Sequence, residues 1–142
     1  MTRMTRDEAV AKLAAGIQAD LAASTSMLEL LERQFDAALR HRSADLAELA
    51  ELLMPALEAM EQRRLQRVSL VRALLGPEGD MAKLIAGLAA PGRAALANDW
   101  HALEQMVLEC KRLNARNSAL LTEQYSIMQR VLHGEEEIYA PR

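Results

Sequence analysis

The chain has 142 residues, enough for one domain with a buried core. Apolar residues make up 51% of it and aromatic ones only 3%, with Leu, Ala and Met beside Glu, Gln and Arg, which is the composition of long helices. The formal net charge of −3 provides no general attraction to phosphate backbones, so nucleic acid is excluded as a default partner.

Met1 to Asp7 is polar and charged, and Lys12, Gln18 and Asp20 interrupt the apolar positions that follow, so no signal-peptide core is expected. No stretch reaches the roughly 18 to 20 uninterrupted apolar residues of a membrane span. A cytoplasmic protein without membrane insertion is the expectation. The first helix is predicted from about Arg6 to His41, with Ile17, Leu21, Ser24, Leu28, Leu31, Phe35 and Ala38 on one stripe. Ser43 is placed to cap a second helix, with Asp45 near its N-terminal dipole. The stripe of that helix is Leu46, Leu49, Leu53, Leu57, Met60, Arg64, Val68, Val71 and Leu75, and it stops at Gly76-Pro77. Pro55 falls inside it and removes one backbone donor, which predicts a kink or a local restart.

A short helix is predicted around Asp80 to Leu88, where Leu84, Ile85 and Leu88 could cover one end of a bundle. Pro91-Gly92 breaks the chain again, and a last helix follows from about Arg93 to Leu132. One of its faces carries Leu103, Met106, Cys110, Leu113, Asn117, Leu120, Gln124, Ile127 and Val131 at steps of three and four. A second line at seven-residue spacing, Trp100, Val107, Asn114, Leu121 and Met128, widens the stripe beyond a two-stranded seam. The expected fold is all-α: an antiparallel bundle of three long helices with coiled-coil character plus one short helix, because short turns return the chain alongside itself. The bundle domain is assigned to residues 1–133, and residues 134–142, acidic at Glu135 to Glu137, to a short mobile tail beyond a helix stop at Gly134.

Residues with the capacity for chemistry are sparse. His41, His101 and His133 lack the spacing of a helical metal pair, and the lone Cys110 has no thiolate neighbours, so no metal site and no cofactor are expected. Gly76-Pro77-Glu78-Gly79 lacks the Lys and Ser or Thr of a phosphate loop, and no Gly-x-Ser-x-Gly elbow is present, so catalytic residues are expected to be absent and the protein not to be an enzyme. Arg63, Arg64, Arg67 and Arg72 form the strongest basic cluster; pairing with Glu and Asp of neighbouring helices is preferred over a phosphate or acidic partner. Asn117 on the inner stripe and Asn114 on its flank allow two readings, a polar device that fixes helix register or a pair of notches that hydrogen-bond a docking helix.

Trp100-His101-Ala102-Leu103 followed by Leu113-Asn114-Ala115-Arg116-Asn117-Ser118-Ala119-Leu120-Leu121 resembles the signature of FlgN-type flagellar export chaperones, and Leu57-Glu58-Ala59-Met60-Glu61-Gln62-Arg63-Arg64 resembles the second helix of that family. Ser118 stands where the family usually has glycine, and Tyr139 is followed by Ala140-Pro141-Arg142 in place of a glycine-containing motif. The resemblance implies a holding function: capture of the C-terminal helical segments of flagellar hook-associated proteins and their delivery to the flagellar type III export gate. On that reading Trp100, Leu103, Val107, Asn114, Asn117, Leu121 and Met128 form the client-binding face, and Tyr139 docks on the export gate. The alternative is a scaffolding coiled coil whose wide stripe is satisfied by self-association, and homodimerisation is left open.

Overall fold

The computed structural model describes the backbone of residues 4–139 and the side chains up to residue 134. It contains four helices, α1 (Arg6–Leu39), α2 (Ser43–Leu75), α3 (Met81–Ala86) and α4 (Gly92–Tyr139), and no strand among the described residues. Local chemistry accounts for the ends. Thr5 caps α1 in a capping box: its hydroxyl accepts from the Glu8 N–H while the Glu8 carboxylate accepts from the Thr5 N–H. At the other end His41 takes a left-handed φ of 56°. The Arg42 N–H then reaches the Ala37 carbonyl and the His41 N–H the Ala38 carbonyl, which is a Schellman stop built without glycine.

α2 therefore begins directly at Ser43, which is its first residue and not its cap, contrary to the sequence expectation. It runs unbroken through Pro55, so no restart occurs there. It ends where expected, at Gly76, whose φ of 88° and ψ of 179° belong to a region open in practice only to glycine. Gly79 in the same turn is equally constrained, since a Cβ there would lie 2.5 Å from the Leu75 Cβ.

α1 is the central element and packs against both other long helices. Its partners on α4 climb in step, Gln18 with Asp99, Leu31 with Asn117 and Ala38 with Gln124, so α1 and α4 lie side by side in the same direction. α2 runs back along α1, joining Arg63 and Arg67 to Asp20 near one end and Leu53 to Leu31 near the other. The antiparallel expectation thus describes the chain-neighbour pair α1–α2, while the α1–α4 contact is parallel, because α3 and its turns carry the chain to a new face of α1. Among the described residues no Cα of α2 comes within 8 Å of one of α4.

Two apolar clusters hold the helices together. One joins Leu13 and Ile17 of α1, Val71 of α2, Met81, Leu84 and Ile85 of α3, and Leu96 and Leu103 of α4. The other joins Met27 and Leu31 to Leu53 and Leu113. α3 closes one end as expected, with Leu84 1% exposed, and the Arg6 guanidinium donates to the carbonyl of Gly87 just beyond it.

The last helix is longer than anticipated. It continues through Gly134 to Tyr139, so Gly134 is not a stop, and residues 134–139 extend the helix. At 48 residues against 34 for α1, α4 is longer by about 20 Å at 1.5 Å per residue. Because α1 ends level with Gln124, Ile127 and Val131 of the predicted inner stripe have no helix to cover them and are exposed, together with Tyr125, Met128 and Leu132.

Candidate functional site

The separation of α2 from α4 leaves a groove with α1 as its floor. Two adjoining hollows occupy it, of about 550 Å³ and about 420 Å³, sharing Arg64, Arg67, Leu103 and Val107. The first is closed at its end by Gly79, Asp80 and Met81 and walled by Val68, Val71 and Arg72 of α2 and by Trp100, Glu104 and Leu108 of α4. The second runs over Met27 and Leu31 of α1 between Leu53, Leu57 and Met60 of α2 and Cys110, Lys111 and Asn114 of α4. From Leu53 to Arg72 on one wall, at about 1.5 Å per residue, the groove is on the order of 30 Å long. Apolar side chains dominate it, and Leu57 is still 47% exposed although it belongs to the predicted apolar stripe of α2.

A polar layer crosses the floor where the two hollows meet. Asp20, 1% exposed, lies between the two apolar clusters and receives Arg63 Nε at 2.5 Å on one carboxylate oxygen and Arg67 Nη1 at 2.9 Å on the other. The Arg67 guanidinium carbon is in turn 5.4 Å from the centre of the Trp100 ring, within cation–π range. Thus α1, α2 and α4 are linked through one arginine. Arg64 instead turns along its own helix to Glu61, whose carboxyl it holds below the ordinary range by hydrogen bonding. The preferred reading of the basic cluster holds for Arg63 and Arg67, which pair across helices.

One turn further along α1, Ser24 is fully buried and its hydroxyl has no hydrogen-bond partner among the described residues, while the Cys110 Sγ lies 3.9 Å from the Ser24 carbonyl. Burial, followed by the charge of Glu109, pushes the Cys110 thiol up, which makes it a poor nucleophile near neutral pH.

The predicted client-binding residues fall into three places. Trp100, Val107 and Asn114 line the groove. Leu103 forms part of its floor and is 3% exposed. Asn117 lies in the α1–α4 interface, where its amide donates to the Leu31 carbonyl and to Gln34 Oε1, each at 2.8 Å, and its own oxygen accepts from Arg116 Nε. That geometry matches the register reading of Asn117. Leu121 is half-buried and Met128 is exposed further out along α4, beyond the residues that line the groove. The side chain of Tyr139 lies outside the described residues. Asp20 and the α2 wall were not among the predicted site residues. Their signal in the sequence is a carboxylate inside the stripe Leu13, Ile17, Asp20, Ser24, Met27, Leu31 and a second-helix stripe wider than one neighbour can cover.

The fold and the groove define an all-helical protein with an uncovered apolar channel between two long helices, and among the described residues no helix is long and apolar enough to cross a membrane. The chain belongs to the FlgN family: the family model described as FlgN protein matches residues 1–133, and FlgN is a family of flagellar export chaperones. No match was found among curated proteins or among solved structures.

Proposed function

We propose that this chain is a cytoplasmic export chaperone that receives the C-terminal helical segment of a flagellar hook-associated protein in the groove between α2 and α4, prevents its premature assembly and delivers it to the flagellar type III export gate. The observation that carries the reading is the groove itself: two helix faces of matching apolar character, separated by a gap and floored by a third helix, offer the surroundings of a bundle lacking one member. An amphipathic helix laid there buries its apolar face on Leu57, Met60, Val68, Trp100, Val107 and Leu108. Asn114 at the rim is placed to hydrogen-bond the incoming segment. Leu121 and Met128 continue the contact along α4, whereas Leu103 and Asn117 support the site from beneath. Tyr139, at the end of α4 in the 134–142 segment, is the docking residue for the gate.

Calorimetric titration of the purified chain with the C-terminal segment of a hook-associated protein tests this. Saturable one-to-one binding is expected, and Leu57→Glu should abolish it while circular dichroism and melting stay those of the parent, because that side chain is already half in water. Binding undiminished in Leu57→Glu and in Val107→Glu puts the client elsewhere.

A second reading, self-association as a scaffold, is favoured by one observation: Tyr125, Ile127, Met128, Val131 and Leu132 form an exposed apolar surface past the end of α1. Stable, concentration-dependent oligomers that Met128→Glu disperses, together with no affinity for the hook-associated segment, would establish it.

A further inference from the structure

Helices packed at 8–10 Å between axes bring their Cα atoms well inside 8 Å, since each Cα lies only about 2.3 Å from its axis. Among the described residues α2 and α4 do not approach that closely, although both rest on α1. Between them stand Arg67, which lines both hollows, and Trp100, which lines the first and faces the Arg67 guanidinium at 5.4 Å. Arg67 is held from below by Asp20, which holds Arg63 as well. Asp20 is the buried member of this three-residue ion cluster, with its side chain 2% exposed, while Arg67 and Arg63 are partly buried at 12% and 26%. Such clusters contribute little net stability, and well-packed apolar residues of similar volume often do as well or better. Its position is informative, for it divides the core into two apolar clusters at the level where the groove is shared by both hollows.

We propose that Asp20, Arg63, Arg67 and Trp100 act as a spacer that holds α2 away from α4 and keeps the groove open to one inserted helix, which makes Arg67 a positioning residue for the client. This rests on the groove being the client site. Asp20 fixes the root of the strut to α1. Arg63 saturates the second carboxylate oxygen, so that Asp20 cannot swing, and the arginine head and indole ring together supply the thickness that separates the walls. With the spacer removed, the apolar walls gain by closing on each other, and the chain becomes an ordinary three-helix bundle with no room for a guest.

The test places spin labels at Leu65→Cys on α2 and Gln105→Cys on α4, both exposed and outside the groove lining, in a Cys110→Ala background and measures their separation by pulsed dipolar spectroscopy. The spacer predicts that Arg67→Ala with Trp100→Ala shortens the distance by about 2 to 4 Å, as the axes approach packed spacing. Affinity for the synthetic C-terminal segment of a hook-associated protein should fall about tenfold or more. Trp100→Phe, which keeps an aromatic face, should preserve the separation. Asp20→Leu with Arg63→Leu and Arg67→Met should lose binding while its melting temperature is held or raised, whereas a merely structural cluster would lose both together. Should the double alanine variant fail to fold, Arg67→Met, which keeps the stem and removes the planar head, must show a shortening in the same direction. An unchanged separation in the folded variants overturns the spacer. A shortened separation in a chain whose parent never bound the segment leaves the spacer standing and overturns the client reading.

Discussion

Asp20 and Asn117 are the polar side chains that the interior can least do without, because each engages partners on another helix. Removing the Asp20 carboxylate leaves two partly buried arginines without their partner, so Asp20→Ala should cost about 3 kcal/mol in urea denaturation, the lower end of the range for a broken buried pair. Asn117→Ala leaves the Leu31 carbonyl and Gln34 without their donor and should cost about 1 to 3 kcal/mol. By contrast, Glu61→Gln and Glu109→Gln should leave the midpoint unchanged, since Arg64 and Arg112 lower those carboxyl groups at an exposed surface where water screens the pair. The two interior residues differ in how legible they were. Asn117 announced itself as a polar position in a long leucine stripe, and both of its readings were open from the sequence. Asp20 did not, because one carboxylate amid apolar residues reads as an interruption until its partners, more than forty residues away, are placed beside it.

Helix ends and stripes tell a similar story at the scale of the element. Gly76 marked the end of α2 through backbone chemistry alone, and Gly76→Ala should destabilise by about 1 to 3 kcal/mol, read from the urea midpoint, because its backbone conformation is closed to a Cβ. The end of α1 was harder to place, since His41 performs there the left-handed turn that glycine usually supplies. Gly134 misled in the opposite direction: a single glycine in a helix costs only about 1 kcal/mol, less than the end of a strongly periodic segment implies. The apolar periods of α2 and α4 were correctly read, yet a period says which residues share a face and not whether anything covers it. Leu113, buried against α1, should lose about 2 to 5 kcal/mol on replacement by Ala, and the half-buried Leu120 less.

For the whole molecule, the number and order of helices followed from the Gly and Pro breaks, whereas the parallel α1–α4 contact and the open α2–α4 groove did not. Those depend on which face of α1 the chain returns to after α3, a choice made by the packing of Leu84, Ile85 and Leu96 rather than by any one segment. The separation of holding from delivery also belongs to this scale. Tyr139→Ala should leave client affinity and melting unchanged while weakening binding to the export-gate protein, and a lowered melting temperature with normal gate binding would assign Tyr139 to packing instead. Whether the client helix sits in the groove between α2 and α4 can be read at Cys110, which lines it and is the only thiol in the chain. Because alkylation proceeds through the thiolate and burial raises this thiol, the rate is best followed with iodoacetamide at about pH 8.5 or above. A saturating C-terminal segment of a hook-associated protein should slow modification of Cys110 about tenfold or more, as expected for a site covered by a docked helix. An unchanged rate, under conditions where calorimetry shows the segment bound, would put the client outside the groove.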